Sequence, residues 1–170
     1  MSINNFVRIC VDQLLGGDVY GRFYTAYDFK PTTFMGSAEL LLKMERFYDR
    51  LGFPMSTTRP RSFNGIITGK EVMNVEGLET LLVPQGEKAS FLVRVIFRQN
   101  SSMQGTLRWV EGNKEANFRS ALELMRFLES TSSISSIWDE SGVDDATYIA
   151  TDIDAAERRM TASVKLKNAQ

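Results

Sequence analysis

Hydrophobic and polar residues alternate in two stretches of the chain, over residues 6–12 and 91–98. Alternation with a period of two predicts a strand with one face on the core. In the second stretch the apolar residues at odd-numbered positions are predicted to point inward, and the last of them is Phe97. Arg94 and Arg98 are predicted to point outward.

Further strands are predicted between these stretches and after them. Residues 19–27 are rich in aromatic and strand-forming side chains, and residues 106–111 alternate again. Residues 28–31 are predicted to turn the chain back into a short strand over 32–35. Residues 112–113, Gly-Asn, suit a two-residue hairpin turn because both tolerate positive φ.

Two helices follow from spacing and capping signals. Apolar residues recur at helical spacing over 37–51, and Gly52 is predicted to end this helix. Ser120 and Glu123 form an S-x-x-E capping box, so a second helix is predicted to begin there. A final helix is predicted over 155–167, with a thin apolar seam.

A shift of the chain by 84 positions aligns its first part with a later part. Over 25 ungapped positions this shift gives six identities, where composition alone gives roughly one or two. The identical pairs are Gly21/Gly105, Lys30/Lys114, Phe34/Phe118, Glu39/Glu123, Leu40/Leu124 and Glu45/Glu129. The shift predicts an internal duplication of one small folding unit.

The predicted fold is therefore α+β, with two tandem β-β-β-α units, an antiparallel sheet, helices packed on one side and a C-terminal helical appendage. Short sequential connections favour a meander within each unit. The units are predicted over 1–52 and 87–137. Residues 53–86 form a connector with a short turn of helix over 75–82, and residues 138–170 an acidic loop and the final helix.

Composition is ordinary for a globular protein, with 43% hydrophobic and 24% charged residues among 170. No apolar run approaches the ~18 residues of a membrane span, so no membrane partner is expected. The beginning of the sequence shows no signal-peptide pattern, and a single cysteine cannot form an intrachain disulfide. A cytoplasmic location in a bacterial host is expected.

Charge is unevenly distributed around a net value of −1. The range 1–52 balances six basic against six acidic residues, and 53–86 balances three against three. The range 87–137 holds seven basic and five acidic residues, and 138–170 holds four basic and seven acidic residues. No part has the strongly basic character that is typical of a nucleic-acid-binding domain.

The residue types argue against an enzyme. There is no histidine, the commonest general base and metal ligand. With one cysteine, the usual zinc sites are excluded as well. Cys10 lies mid-strand and is interpreted as an inert packing or surface thiol rather than a nucleophile. The aspartates of the tail do not match the spacing of a calcium loop. No catalytic residue, metal or cofactor is predicted.

Two groups of residues are candidates for contact with a protein partner. Exposed tyrosine beside arginine is typical of protein-contact anchors, and such residues are concentrated in one predicted hairpin. A second pair lies in the connector. The candidate contact residues are Tyr20, Arg22, Tyr24 and Tyr27 in the hairpin, and Arg59 and Arg61 in the connector.

A second surface is predicted from arginines on strands. If the strands pair as a meander, Arg94, Arg98 and Arg108 should project from the same sheet face. A face that carries arginine and aromatic side chains can hold phosphates and stack bases. This gives nucleic-acid or nucleotide binding as the alternative to protein contact.

The string from Gln104 to Ser130 resembles short, uncharacterised proteins of anaerobic Gram-positive (clostridial) bacteria with the motif W-Q-G-T-[VIL]-x-W-V-E…F-R-S-A-L-E-L. Gln104-Gly105-Thr106, Trp109-Val110-Glu111 and residues 118–124 match, whereas Met103 stands in place of the tryptophan. Residues 21–63 resemble a second such group, with a G-R-x-[YF] strand and an F-P-x-x-x-T-x-x-R-x-F exit. The family function is unknown, so the resemblance implies a bacterial or mobile-element origin and assigns no site.

The leading hypothesis is a non-enzymatic binding protein that acts by protein–protein contact. A phage or mobile-element inhibitor of a bacterial defence complex (anti-CRISPR-like) is the specific expectation. Nucleic-acid or nucleotide binding is the alternative, and an enzyme that uses carboxylates is third. A pseudo-twofold monomer and a homodimer both remain open.

Overall fold

The computed structural model describes residues 4–59, 61–65 and 71–131. Six strands form one antiparallel sheet. They are β1 (Phe6–Leu15), β2 (Asp18–Thr25), β3 (Asp28–Met35), β4 (Ala89–Phe97), β5 (Gln104–Trp109) and β6 (Lys114–Phe118). Their order across the sheet is β3-β2-β1-β4-β5-β6. The helices are α1 (Ser37–Leu51), α2 (Glu79–Leu82) and α3 (Ala121–Ser130).

The predicted α+β fold with two tandem β-β-β-α units is wrong. The described chain is mostly β, because six strands share one sheet and only three short helices accompany them. β1 and β4 pair at its centre, from Phe6 opposite Arg94 to Val11 opposite Ala89. The elements expected to correspond also differ in length, with 15 residues in α1 against 10 in α3. The predicted internal repeat is therefore not a balanced pair of units.

One hydrophobic core lies between the sheet and two of the helices. Ile9 on β1 is opposite Phe23 on β2 and Phe91 on β4, so these side chains share one sheet face. α1 and α3 cover this face, and their buried residues join the same core cluster. The neighbouring residue Arg8 points to the opposite face, where its guanidinium donates to the carbonyl oxygens of Leu81 and Pro84. The sheet centre is therefore covered on both faces.

Predictions from local spacing had mixed outcomes. The helix over 37–51 is confirmed, as is the capping box, in which the Glu123 amide donates to Ser120 Oγ at 3.2 Å. The turn over 28–31 is wrong, because β3 begins at Asp28. α2 is shorter than the helical turn predicted over 75–82, and the segment 138–170 lies outside the described residues.

A β-bulge near the end of β4 reverses the predicted facing of its last residues. The pairing register with β5 shifts between Val95 and Phe97. Phe97, predicted to point inward, is 55% exposed, and Arg98, predicted to point outward, is 3% exposed. An extra residue in one strand changes the side to which all later side chains point, so both predictions are wrong for the same reason.

The outer edge of β3 is closed by side chains of α1. Thr33 and Met35 are two residues apart, so their main-chain groups point to the same side of the strand. The Thr33 carbonyl accepts from Lys43 Nζ at 2.7 Å, and the Met35 amide donates to Glu39 Oε2 at 2.6 Å. Pro31, two residues before Thr33, has no amide hydrogen to offer.

Candidate binding surfaces

Three of the predicted contact residues lie on one face of β2. Tyr20, Arg22 and Tyr24 alternate along the strand, and all three are half-buried. Arg22 Nε donates to the Tyr24 hydroxyl at 2.9 Å, and its guanidinium also pairs with the Asp12 carboxylate. The hydrogen bond and ion pair with Asp12 raise the pKa of Arg22. Arg22 is therefore held by internal partners rather than projecting freely.

Tyr27, the fourth hairpin residue, belongs to the core. It is 8% exposed, and its hydroxyl accepts from the backbone amide of Asn4 at 2.9 Å. Its ring lies against Phe47, with 6.1 Å between centroids. Burial raises the pKa of Tyr27, against the opposing effect of the hydrogen bond from Asn4. This side chain is not displayed to a partner.

The arginines proposed for nucleic-acid binding do not form one surface. Arg94 and Arg108 share a sheet face, with Arg94 Cζ 5.7 Å from the centre of the Phe6 ring. Arg108 is 5% exposed and donates to Asn113 Oδ1 at 3.2 Å. Arg98 points to the other face, toward α1. The predicted common face is wrong for Arg98.

Arg98 instead fixes the end of β4 to α1. Its guanidinium pairs with the carboxylates of Glu45 and Asp49, and Nη1 donates to the Pro54 carbonyl at 3.3 Å. Its Cζ lies 6.0 Å from the centre of the Tyr48 ring. Burial by itself would lower the pKa of Arg98, but the two carboxylates outweigh burial and raise it. This network ties the end of β4, α1 and Pro54 together.

An exposed apolar patch lies immediately outside this network. We define the β4-end patch as Met55, Ile96 and Phe97, which are 79%, 37% and 55% exposed. Ser56 forms a parallel bridge with Arg98, and the Thr57 amide donates to the Arg98 carbonyl at 3.0 Å, so Met55 and Phe97 lie on adjoining chain segments. Alternation did not reveal the patch, because it placed Phe97 in the core.

The two predicted connector residues follow the patch directly in sequence. Arg59 and Arg61 are exposed and come just after Thr57, which is tied to β4. Phe63, further along the same segment, is also exposed. The two arginines and Phe63 thus lie within eight residues of Met55 in sequence.

Two cavities flank the helices on the core side of the sheet. The hairpin cavity, of about 230 Å³, lies between the β2–β3 hairpin and α1 and is lined by Lys30, Lys43, Arg50 and Asp28 among others. The α3 cavity, of about 260 Å³, is lined mainly by apolar residues that include Phe91, Leu107, Trp109 and Phe127. The lining of the hairpin cavity contains three cations and one carboxylate, whereas that of the α3 cavity contains Lys114 and Glu115.

Comparison of the chain with known protein families, with curated proteins and with solved structures finds no match. Within the described part of the chain, no helix is both long enough and apolar enough to cross a membrane. Among residues 4–59, 61–65 and 71–131, no group of three His, Cys, Asp or Glu side chains is placed to hold a metal ion.

Proposed function

We propose that this protein is a non-enzymatic binding protein that contacts a protein partner through the β4-end patch. The observation that carries the proposal is the exposure of Phe97 and Met55, side by side, on a base that Arg98 fixes to α1. Burying a side chain of this kind contributes roughly 1.5–3 kcal/mol. A partner that covered both would gain this energy.

The residue types at the patch match those of protein interfaces. Aromatic residues, methionine and arginine are enriched at the centre of protein–protein contacts, and lysine and glutamate are depleted. The base is already ordered by the Arg98 ion pairs, so binding would immobilise few additional groups. Preorganisation of this kind favours affinity because less conformational entropy is lost on association.

Two exposed arginines that follow the patch in sequence support a proposal for the chemistry of the partner. Arg59 and Arg61 are exposed and would stand at the rim of an interface centred on Phe97. Complementary charge at a rim increases the association rate and selects the partner. We therefore propose a partner whose contact surface is apolar at its centre and acidic at its border.

Nothing in the fold or in the comparisons supports the anti-CRISPR-like description, and the proposal does not include it. The nucleic-acid alternative loses the common face that it required, because Arg98 lies on the α1 side of the sheet. It is retained only as an outcome that the experiment below can detect.

The test immobilises the full chain and captures binding proteins from a clostridial lysate. Clostridia are chosen because the sequence motif resembles proteins of these bacteria. Wild type is compared with Met55→Asp plus Phe97→Asp and with Leu42→Asp as the matched control. Leu42 is 59% exposed on α1, which makes it an apolar site of comparable exposure that is not one of the three patch residues. We expect a protein retained by wild type and the control, and reduced about tenfold or more by the double variant.

Two outcomes would contradict this function. Equal retention of every captured protein by the double variant would exclude the patch as the contact surface. Capture that disappears after nuclease treatment, and that falls with Arg94→Ala plus Arg108→Ala and with added salt, would establish the nucleic-acid alternative instead.

A further inference from the structure

The α3 cavity lies where a small residue stands among large ones. Ala116 on β6 is opposite Leu107 on β5, and both face the core. Trp109 is opposite Phe91 at the neighbouring position of the sheet, and Phe127 of α3 lines the same cavity. The methyl group of Ala116 leaves unfilled the space that a longer side chain would occupy at the edge of the sheet. The result is a cavity of about 260 Å³.

The accessible walls of this cavity are apolar. Phe91 and Leu107 are almost fully buried and form its deepest part. Trp109, Ala116 and Phe127 are only half-buried, so they still present surface to a ligand. An aromatic ring packed against the indole of Trp109 and the ring of Phe127 would remove apolar surface from water, which favours binding.

The polar side chains of the lining carry no excess of charge. Lys114 and Glu115 contribute one charge of each sign. Ser130 Oγ donates to the Phe127 carbonyl at 2.8 Å, and Thr131 Oγ1 donates to the Leu128 carbonyl at 3.0 Å, so α3 already uses both hydroxyl hydrogens. A charged ligand would lose hydration here without a compensating excess of opposite charge, so the lining favours an uncharged one.

The indole N–H of Trp109 is a buried hydrogen-bond donor that has no acceptor among the described residues. Gly112 packs against the benzene ring of this indole, since a Cβ at the glycine would overlap Cε3 and Cζ3 of Trp109. Nε1 belongs to the opposite edge of the indole, away from the turn at Gly112. Buried donors are nearly always paired, so a ligand that brought an acceptor to this nitrogen would complete a missing bond.

We infer that the α3 cavity is a binding site for a small, uncharged aromatic molecule that carries a hydrogen-bond acceptor, such as an aryl ketone or ester. The ring would pack on Trp109, Ala116 and Phe127, and the acceptor oxygen would take the Trp109 N–H. Ligand pockets commonly measure about 300–1,000 Å³, so a cavity of about 260 Å³ suits a single ring with a short substituent. This site shares no residue with the β4-end patch, so either proposal can fail without the other.

The experiment is an NMR titration of the full chain with acetophenone, which joins a ring to a carbonyl acceptor. Toluene has the ring without the acceptor, and benzoate has the ring with a charge. We expect acetophenone to bind saturably with Kd on the order of 1 mM, as befits a ligand of this size, and toluene and benzoate to bind about threefold or more weakly. Acetophenone should shift the backbone signals of Ala116 and Phe127 and the indole N–H signal of Trp109.

A substitution that fills the cavity locates the binding. Ala116→Leu places a larger apolar side chain beside Leu107, so the affinity for acetophenone should fall about tenfold or more while the melting temperature is kept or raised. Asn117→Leu is the matched control, because it introduces the same side chain one residue later, at an exposed position on the opposite face of β6. Its affinity should equal that of wild type.

A second substitution tests the hydrogen bond without filling the cavity. Trp109→Phe keeps an aromatic ring but removes the N–H donor, so the affinity for acetophenone should fall about three- to tenfold. Toluene accepts no hydrogen bond and should bind this variant no more weakly than it binds wild type. The signal that disappears in this variant also identifies the indole N–H of Trp109.

Several results would overturn the inference. Equal affinity of Ala116→Leu and wild type for acetophenone, or an equal loss in Asn117→Leu, would place the binding outside the cavity. Toluene or benzoate binding as tightly as acetophenone, or an unchanged affinity in Trp109→Phe, would exclude recognition of an uncharged ligand through its acceptor. Absence of saturation at about ten times the expected Kd would show that there is no site.

Discussion

Arg98 Nη2 lies 2.5 Å from Asp49 Oδ1, so a buried guanidinium joins the residue that follows β4 to α1. We predict that Arg98→Met lowers the free energy of unfolding by about 2–3 kcal/mol, because Glu45 and Asp49 then repel each other without a cation between them. Both carboxylates are about one third exposed, at 35% and 32%, which keeps the loss below that of a fully buried pair. Urea denaturation measures the change in the free energy of unfolding.

The matched control for this prediction is Arg46→Met. Arg46 is an exposed arginine of the same helix, so its substitution should change the free energy of unfolding by no more than about 0.5 kcal/mol. Equal effects of the two substitutions would show that the buried network does not stabilise the fold.

We predict that Asp18 stabilises the start of α1 in a pH-dependent way. Gly36 at the N-cap has no side chain, and Asp18 Oδ1 instead accepts from the amide of Ser37 at 2.7 Å and from that of Val19 at 2.9 Å. Burial raises the pKa of Asp18, but these hydrogen bonds outweigh burial and lower it. Asp18→Asn should lower the free energy of unfolding by about 1 kcal/mol at neutral pH.

The sign of the pH effect follows from the lowered pKa. As the pH falls below the unfolded-state value of about 3.9, the unfolded chain binds a proton at Asp18 before the folded chain does. The stabilisation from Asp18 is therefore present above that pH and is lost as the pH falls through the folded-state pKa. The free energies of unfolding of wild type and Asp18→Asn, measured by urea denaturation at each pH, should converge in acid. A constant difference down to about pH 3 would refute this.

We predict that Gly105→Ala severely destabilises the sheet. A Cβ at this position would lie 2.0 Å from the Arg94 carbonyl oxygen and 3.0 Å from the Val95 Cα, both of which are main-chain atoms of β4. Backbone in the middle of a sheet cannot move aside cheaply, so the loss should be about 2 kcal/mol or more. Thermal unfolding measures it, with exposed Asn117→Ala on β6 as the control. Unchanged stability in Gly105→Ala would contradict the close strand approach.

We predict that Cys10 is inert in the folded protein. The thiol is 0% exposed, and burial raises its pKa to about 11, against the opposing charges of Arg22 and Arg8. Only about one thiol in a thousand is then ionised at pH 8, and reagents also lack access. An aromatic disulfide reagent should label the urea-unfolded chain within minutes and leave the native chain unlabelled over the same period. Equal labelling rates would contradict the buried position.

Features encoded by neighbouring residues could be predicted from the sequence. The apolar spacing of α1 and the Ser120–Glu123 box are local signals, and both elements lie where they were predicted. The alternation over 6–12 likewise marks β1, which extends further, to Leu15. Each of these signals involves residues within one or two helical turns, or within a few residues of a strand. Residues that are close in sequence are then also close in space.

Features that depend on distant partners could not be predicted. No local signal indicates that Val7 lies opposite Val93. This pairing joins the two predicted units into one sheet. The bulge before Phe97 is also invisible to alternation, and it moves Arg98 from the solvent to α1. The candidate surfaces changed with it, because Phe97 is exposed and Arg98 is buried, the reverse of the prediction for these two residues.

The closed edge of β3 restricts how this protein can associate with others. Strand addition requires free main-chain donors and acceptors along an outer strand, and here Lys43 already bonds to the Thr33 carbonyl and Glu39 to the Met35 amide. A second copy, or an extended peptide, would have to break both contacts and would still meet a proline at residue 31. Growth of the sheet into a fibre or a strand-swapped dimer is therefore disfavoured from this side.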